Sequence, residues 1–242
     1  MKAIFYLATV LILGAMLSCG KSTNSTVTSS NVKETVEMKN AITYKSFVGS
    51  GISSFKGILV MGSGNDENNP TAGILDESTD VDLCTKAAQN GYVAAIVQYR
   101  KTPGLADWNT SAQEIGEDYN SCITALSAEF NVNKNNSVVG GYSYASFMLL
   151  TNSAYYDDLS YCKGLLAPCG GTEATEFKIP IFAIACSGNN EGDYSGKELY
   201  EHIDPNSPIK AESSGVTDNS CNTHCGGNWT NQLYAKMVSW MP

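Results

Sequence analysis

The run from Ser137 to Leu150, Ser-Val-Val-Gly-Gly-Tyr-Ser-Tyr-Ala-Ser-Phe-Met-Leu-Leu, leaves few folds open to this chain. Its opening residues suit a short buried strand, and the apolar stretch from Ala145 suits a helix packed on a sheet. Only a very sharp turn separates the two, with Ser143 at its apex. Such a turn crowds the residues two before and two after the serine, so both must be small. Here they are Gly141 and Ala145. A hydroxyl on this elbow is pushed beyond the sheet edge. The Tyr144 amide then opens the helix and points where an oxyanion would form.

The rest of the chain alternates between strand-like and helix-like stretches. Ile42–Val48 and Gly57–Met61 read as strands, and Asp80–Asn90 reads as a helix closed by Gly91. Val93–Tyr99 is apolar throughout, as a strand buried on both faces must be. Ser111-Ala-Gln-Glu114 has the form of a capping box. It opens a long helix whose apolar positions Ile115, Tyr119, Cys122, Ile123, Leu126 and Phe130 recur every three or four residues. Beyond the elbow come strands at Gly164–Ala167 and Ile181–Cys186, a helix near Lys197–His202, a strand near Ile209–Glu212 and a final helix Trp229–Trp240. This order predicts an α/β fold with a mostly parallel central sheet and helices on both faces.

The sequence Gly-x-Ser-x-Ala around Ser143 is a variant of the Gly-x-Ser-x-Gly nucleophile elbow, and from about Ile42 to Trp240 the chain resembles the α/β-hydrolase family, which includes esterases, lipases and some peptidases. Gln98-Tyr-Arg-Lys-Thr-Pro103 is similar to the Asp-Tyr-Arg-Leu-x-Pro segment of hormone-sensitive-lipase-like esterases, with Gln98 departing from its acidic residue. The resemblance implies a serine nucleophile, an acid and a histidine in that chain order. Ser143 is then the nucleophile. A serine hydroxyl needs a base to take its proton, and the chain has two histidines. His224 lies in the loop before the last helix, where the family places its base. His202 falls late in a helix, where a helix dipole favours it. The acid should follow the strand Ile181–Cys186. Family members often have Gly-x-x-Asp there, and counting from Gly188 reaches Glu191, with Asp193 as its rival. The second oxyanion donor, beside Tyr144, belongs to Met61-Gly-Ser-Gly-Asn65, similar to a weakened His-Gly-Gly-Gly motif. Ser63 is the first choice and Gly64 the next. The short stretch between Ala167 and Ile181 has no room for a helical lid, so an open site is expected. Trp108 and nearby tyrosines are candidates to line it, and at least one of Tyr142 and Tyr144 is expected to face it. The chemistry requires no cofactor.

Residues 1–18 read as a signal peptide: Lys2, then an apolar region from Ile4 to Leu17 too short to span a bilayer comfortably. The ending Leu17-Ser-Cys19 resembles a bacterial lipobox, which implies cleavage before Cys19 and lipid attachment to it. Lipid would then be the only membrane contact, at the outer membrane or cell surface. Residues 19–40 are Ser/Thr/Asn-rich and read as a flexible tether, leaving 41–242 as the catalytic domain. A net charge of −9 argues against nucleic acid and anionic lipid as partners. Of eight cysteines, Cys19 aside, seven remain, so at least one is unpaired in a monomer. Cys221 and Cys225 stand close enough to staple the His224 loop. With His224 they also resemble a fragment of a zinc site, but no fourth ligand is evident, and no metal is expected.

The expected activity is carboxylic ester hydrolysis on a small-molecule or polymeric substrate. The alternatives are a non-catalytic surface lipoprotein of the same fold that binds glycans or proteins, and a peptidase.

Overall fold

The computed structural model describes residues 31–188 and 194–242. Its strands are β1 (Val32–Lys39), β2 (Ile42–Gly49), β3 (Ile58–Met61), β4 (Val93–Gln98), β5 (Ser137–Gly140), β6 (Gly164–Pro168), β7 (Gly171–Thr172), β8 (Ile181–Cys186), β9 (Tyr194–Ser195) and β10 (Ser214–Asp218). The helices are α1 (Ser78–Gln89), α2 (Trp108–Phe130), α3 (Tyr144–Tyr155), α4 (Gly196–His202) and α5 (Thr230–Trp240). Eight strands form one sheet in the order β1-β2-β4-β3-β5-β6-β8-β10. β1, β2 and β4 pair antiparallel, and every other neighbour pairs parallel. β7 and β9 make a separate small ribbon.

The central strands are buried on both faces, and their period of two splits the core into two layers. Ile58 and Val60 of β3 face one layer with Val139, Ile181 and Ala183, under α2, α3 and α4. Leu59 and Met61 face the other with Val138, Phe182 and Ile184, under α1 and α5. Helices thus cover both faces, as the alternation in the sequence predicts.

Three local expectations are corrected. The predicted tether at 19–40 is too long, because Val32–Lys39 is a sheet strand paired along its length with β2. As an edge strand it leaves Val36 and Met38 exposed rather than against the core. The hairpin turn was hidden too: Asn40 and Ala41 have φ of 52° and 64°, and Ala41 stands where glycine is usual. The long helix begins at Trp108 rather than at Ser111, with Asp107 accepting a hydrogen bond from the Thr110 amide (3.1 Å) as its cap. Ser111 lies inside the first turn and donates to the Asp107 carbonyl (2.9 Å). Finally, Ile209–Glu212 is a turn, and the strand follows it at Ser214–Asp218. There Gly215 lets the strand approach α4 closely, since a Cβ would lie 2.4 Å from the Gly196 carbonyl oxygen.

Candidate active site

Ser143 has φ 50° and ψ −122°, a backbone conformation that costs an L-residue free energy and is held only by its surroundings. Those surroundings are tight. A Cβ on Gly141 would sit 2.6 Å from the Cβ of Ala145 and 2.9 Å from the Gly62 carbonyl oxygen, so the predicted need for small residues is met. The elbow is tied to its neighbours by backbone bonds: Gly62 N–H to the Gly140 carbonyl (3.1 Å), Tyr142 N–H to that of Gly62 (3.1 Å), and Ser143 N–H to that of Pro168 (3.4 Å). From α2, the buried Tyr119 hydroxyl donates to the Gly140 carbonyl (2.9 Å). Tyr144 is the first residue of α3, so its amide is one of those a helix leaves without an internal acceptor.

His224 comes from the loop between β10 and α5, and its Nε2 lies 2.7 Å from Ser143 Oγ across 81 residues of sequence. Two disulfides hold that loop, with a connectivity that the cysteine spacing left open. Cys221 and Cys225 do not pair with each other. Cys225 bonds Cys169 just beyond β6, and Cys221 bonds Cys186 at the end of β8. The residue beside His224 is therefore anchored to one strand end and the start of its loop to another. Ser187 Oγ adds a hydrogen bond to the Cys221 carbonyl (3.2 Å), and Asp218 accepts from the Trp229 indole (2.8 Å). Cys84, Cys122 and Cys162 are buried and unpaired, and burial raises the pKa of each thiol. Ligand atoms of Cys169, His224 and Cys225 lie within 4.8 Å of one another, but the two sulfurs are bonded together and present no thiolates to a metal. His202 is elsewhere, in the last turn of α4, its ring stacked on Tyr194.

Partial burial lowers the His224 pKa below the ordinary value of 6.5, with the Glu67 carboxylate opposing that shift. An imidazole tuned this way stays neutral, and able to accept a proton, into mildly acidic solution. Glu191 and Asp193, the two candidates for the acid, lie outside the described residues, as does Cys19.

The loop after β3 packs against Ser143. Ser63 is buried, with its hydroxyl accepting from the Ile74 amide (2.8 Å) and its carbonyl from the Tyr99 hydroxyl (2.9 Å). Gly64 comes nearer Ser143 itself: a Cβ there would be 3.1 Å from the Ser143 Cβ. The Gln98–Pro103 segment fastens this region. Besides Tyr99, Arg100 makes a two-pronged ion pair with Asp118 (2.6 and 3.0 Å), and Thr102 shares a hydrogen bond with the Tyr144 hydroxyl (2.6 Å). The Tyr144 and Tyr142 side chains are both buried, and neither is among the residues lining the cleft described next, contrary to expectation.

Ser143 and His224 open into a cleft of about 760 Å³. Trp108, Phe147, Leu105 and Tyr155 give it apolar walls, and Asn65, Glu67, Thr151 and Glu173 give it polar ones. Sequence reasoning expected Trp108 there but missed Phe147 and Thr151. Their spacing of four residues puts both on one face of α3, a signal that was available. Glu173 carried no such signal, because the chain between β6 and β8 has no helical or strand period. That connection holds β7 and no helix, so it supplies no helical lid over the cleft.

The parallel sheet with antiparallel strands at one edge, the strained serine between β5 and α3, and the late histidine loop define the α/β-hydrolase fold. Solved structures of that fold match the chain at low identity. A candidate dienelactone hydrolase from Klebsiella pneumoniae is 10% identical, with TM-score 0.57, over 87% of this chain and 97% of the other. The metagenomic carboxylesterase EstE1 is 11% identical, with TM-score 0.56, over 87% and 89%. Dipeptidyl peptidase 4 of Porphyromonas gingivalis is 13% identical, with TM-score 0.58, over 87% of this chain but 35% of its own. No protein-family model matches the chain, and no curated protein matches it by sequence.

Proposed function

We propose that this protein is a serine hydrolase acting on carboxylic esters. The observation that carries the reading is the 2.7 Å approach of His224 Nε2 to Ser143 Oγ in the wall of an open cleft. In the proposed reaction Oγ attacks the ester carbonyl while Nε2 takes its proton. The oxyanion is met by the Tyr144 amide and by Ser63 or its neighbour Gly64. The imidazolium then gives its proton to the leaving alcohol, and water enters by the same steps in reverse to release the acid. Glu191 or Asp193 would hold the imidazole from its far side. The esterase and the candidate lactone hydrolase match over most of both lengths, whereas the chain spans about a third of the peptidase, which favours esters over peptides.

The leader supports a second part of the proposal: cleavage before Cys19 and lipid attachment there, placing the enzyme at the bacterial cell envelope. Among the described residues no helix is long and apolar enough to cross a membrane.

Ser143→Ala should abolish hydrolysis of p-nitrophenyl butyrate and labelling by a fluorophosphonate probe, with an unchanged thermal midpoint. Wild-type turnover in that variant would remove the catalytic reading. Labelling of growing cells with a palmitate analogue, lost in Cys19→Ala, tests the anchor.

A further inference from the structure

The cleft has a pronounced charge asymmetry. Asp66 and Glu67 come from the loop after β3, and Glu173 from the segment beyond β7. Among the described residues no lysine or arginine lines it, and none of these three carboxylates is ion-paired. Elsewhere on the surface carboxylates do find cations, as Asp157 does with Lys178 and Asp76 with Lys45.

The cleft also carries aromatic surface. Trp108 packs edge-on against Phe147 with ring centroids 6.2 Å apart, and its indole N–H is committed to Thr151 Oγ1 (2.8 Å). Carbon faces therefore remain for a ligand, not a donor. The exposed Tyr155 ring stands at the rim. A low-dielectric groove lined with one sign of charge focuses its field on what enters. Aromatic faces add attraction for a desolvated cation and offer nothing to an anion.

Resting on the hydrolase reading above, we propose that the cleft selects esters bearing a positive charge, a quaternary or primary ammonium carried between Glu67 and Glu173 over the Trp108–Phe147 pair, and rejects anionic esters. Glu67 and Glu173 are the specificity-determining residues. They touch the charged end of the substrate and leave bond-making to Ser143 and His224. The protein's overall charge of −9 works in the same direction at longer range.

The test compares esters of matched shape and different charge by pH-stat: acetylcholine, its uncharged isostere 3,3-dimethylbutyl acetate, and 3-sulfopropyl acetate. At low ionic strength kcat/KM should fall about tenfold at each step from cation to neutral to anion, as one unit charge a few ångströms from a screened carboxylate implies. The spread should narrow in 0.5 M salt. Glu67→Gln and Glu173→Gln should each shrink the cation-to-anion ratio several-fold. Glu34→Gln on β1 removes the same charge outside the cleft and should leave the ratio intact. Equal kcat/KM for the three esters, or a preference for the sulfonate, overturns the charge selection while the hydrolase reading stands. No turnover of any ester together with no fluorophosphonate labelling of Ser143 overturns both.

Discussion

The Cys169–Cys225 bridge offers a test in which stability and catalysis can be separated. Its ends are 56 residues apart, and the Cys186–Cys221 bridge, 35 apart, is nested inside it. In the chain-entropy picture the outer bridge alone would restrain the unfolded chain by about 4 kcal/mol. With the inner bridge intact, 56 − 35 leaves 21 positions in the outer loop. The same relation then gives about 3 kcal/mol. For a domain of this size that corresponds to a fall of roughly 10 °C in thermal midpoint for a Cys169→Ala/Cys225→Ala double variant. Entropy of the unfolded chain has no bearing on rate, however. The bridge also positions His224, the immediate neighbour of Cys225, and a shift of about 1 Å in a base costs on the order of a hundredfold. Assayed well below its midpoint, the variant should lose at least tenfold in kcat on p-nitrophenyl butyrate with little change in KM. Full kcat beside the expected loss of stability would refute the claim that the bridge places the base. An unchanged midpoint would refute the loop-entropy estimate.

Four further predictions concern the elbow, its neighbours and the core. Gly141→Ala should destabilise the fold by about 1–3 kcal/mol, since its Cβ would collide with Ala145; chemical denaturation at unchanged m-value checks this. Tyr99→Phe removes the hydrogen bond to the Ser63 carbonyl and should lower kcat about tenfold without raising KM, read from steady-state kinetics. The acid limb of kcat/KM should fall below the ordinary histidine value of 6.5 and move lower still in Glu67→Gln, because that carboxylate opposes the effect of burial on His224. Asp80 is buried in α1 with neither carboxylate oxygen hydrogen-bonded among the described residues, and burial pushes its pKa from 3.8 up to about 8. Its neutral form is the one the fold accommodates, so its contribution is whole below pH 3.8 and drains away as pH rises towards 8. Asp80→Asn should therefore gain thermal stability relative to wild type as pH rises from 5 to 8, and a pH-independent difference would contradict this.

Much of this was legible in residue order. The helix apolar spacings and the fully apolar strands follow from local geometry, because every third or fourth residue of a helix, and both faces of a central strand, must meet a core. Small residues around Ser143 are likewise a local steric demand, which is why the elbow could be read without coordinates. Having only two histidines narrowed the candidate base to one loop. Local pattern failed where stabilisation comes from elsewhere. β1 is held by β2's hydrogen bonds rather than by an apolar period, and the α2 cap shifted to Asp107 because a side chain three residues from an amide outcompeted the anticipated box.

Only tertiary structure decided the cysteine partners, the 2.7 Å contact between Ser143 and His224, and the company of Glu67 and Glu173 in one cleft. Each depends on which strand ends lie side by side, and the sheet order is set by crossovers that bring distant segments together. Local sequence specifies the elements and their apolar faces through short-range sterics and burial. The meeting of residues 81 positions apart depends on how those faces pack, a property of the whole sheet.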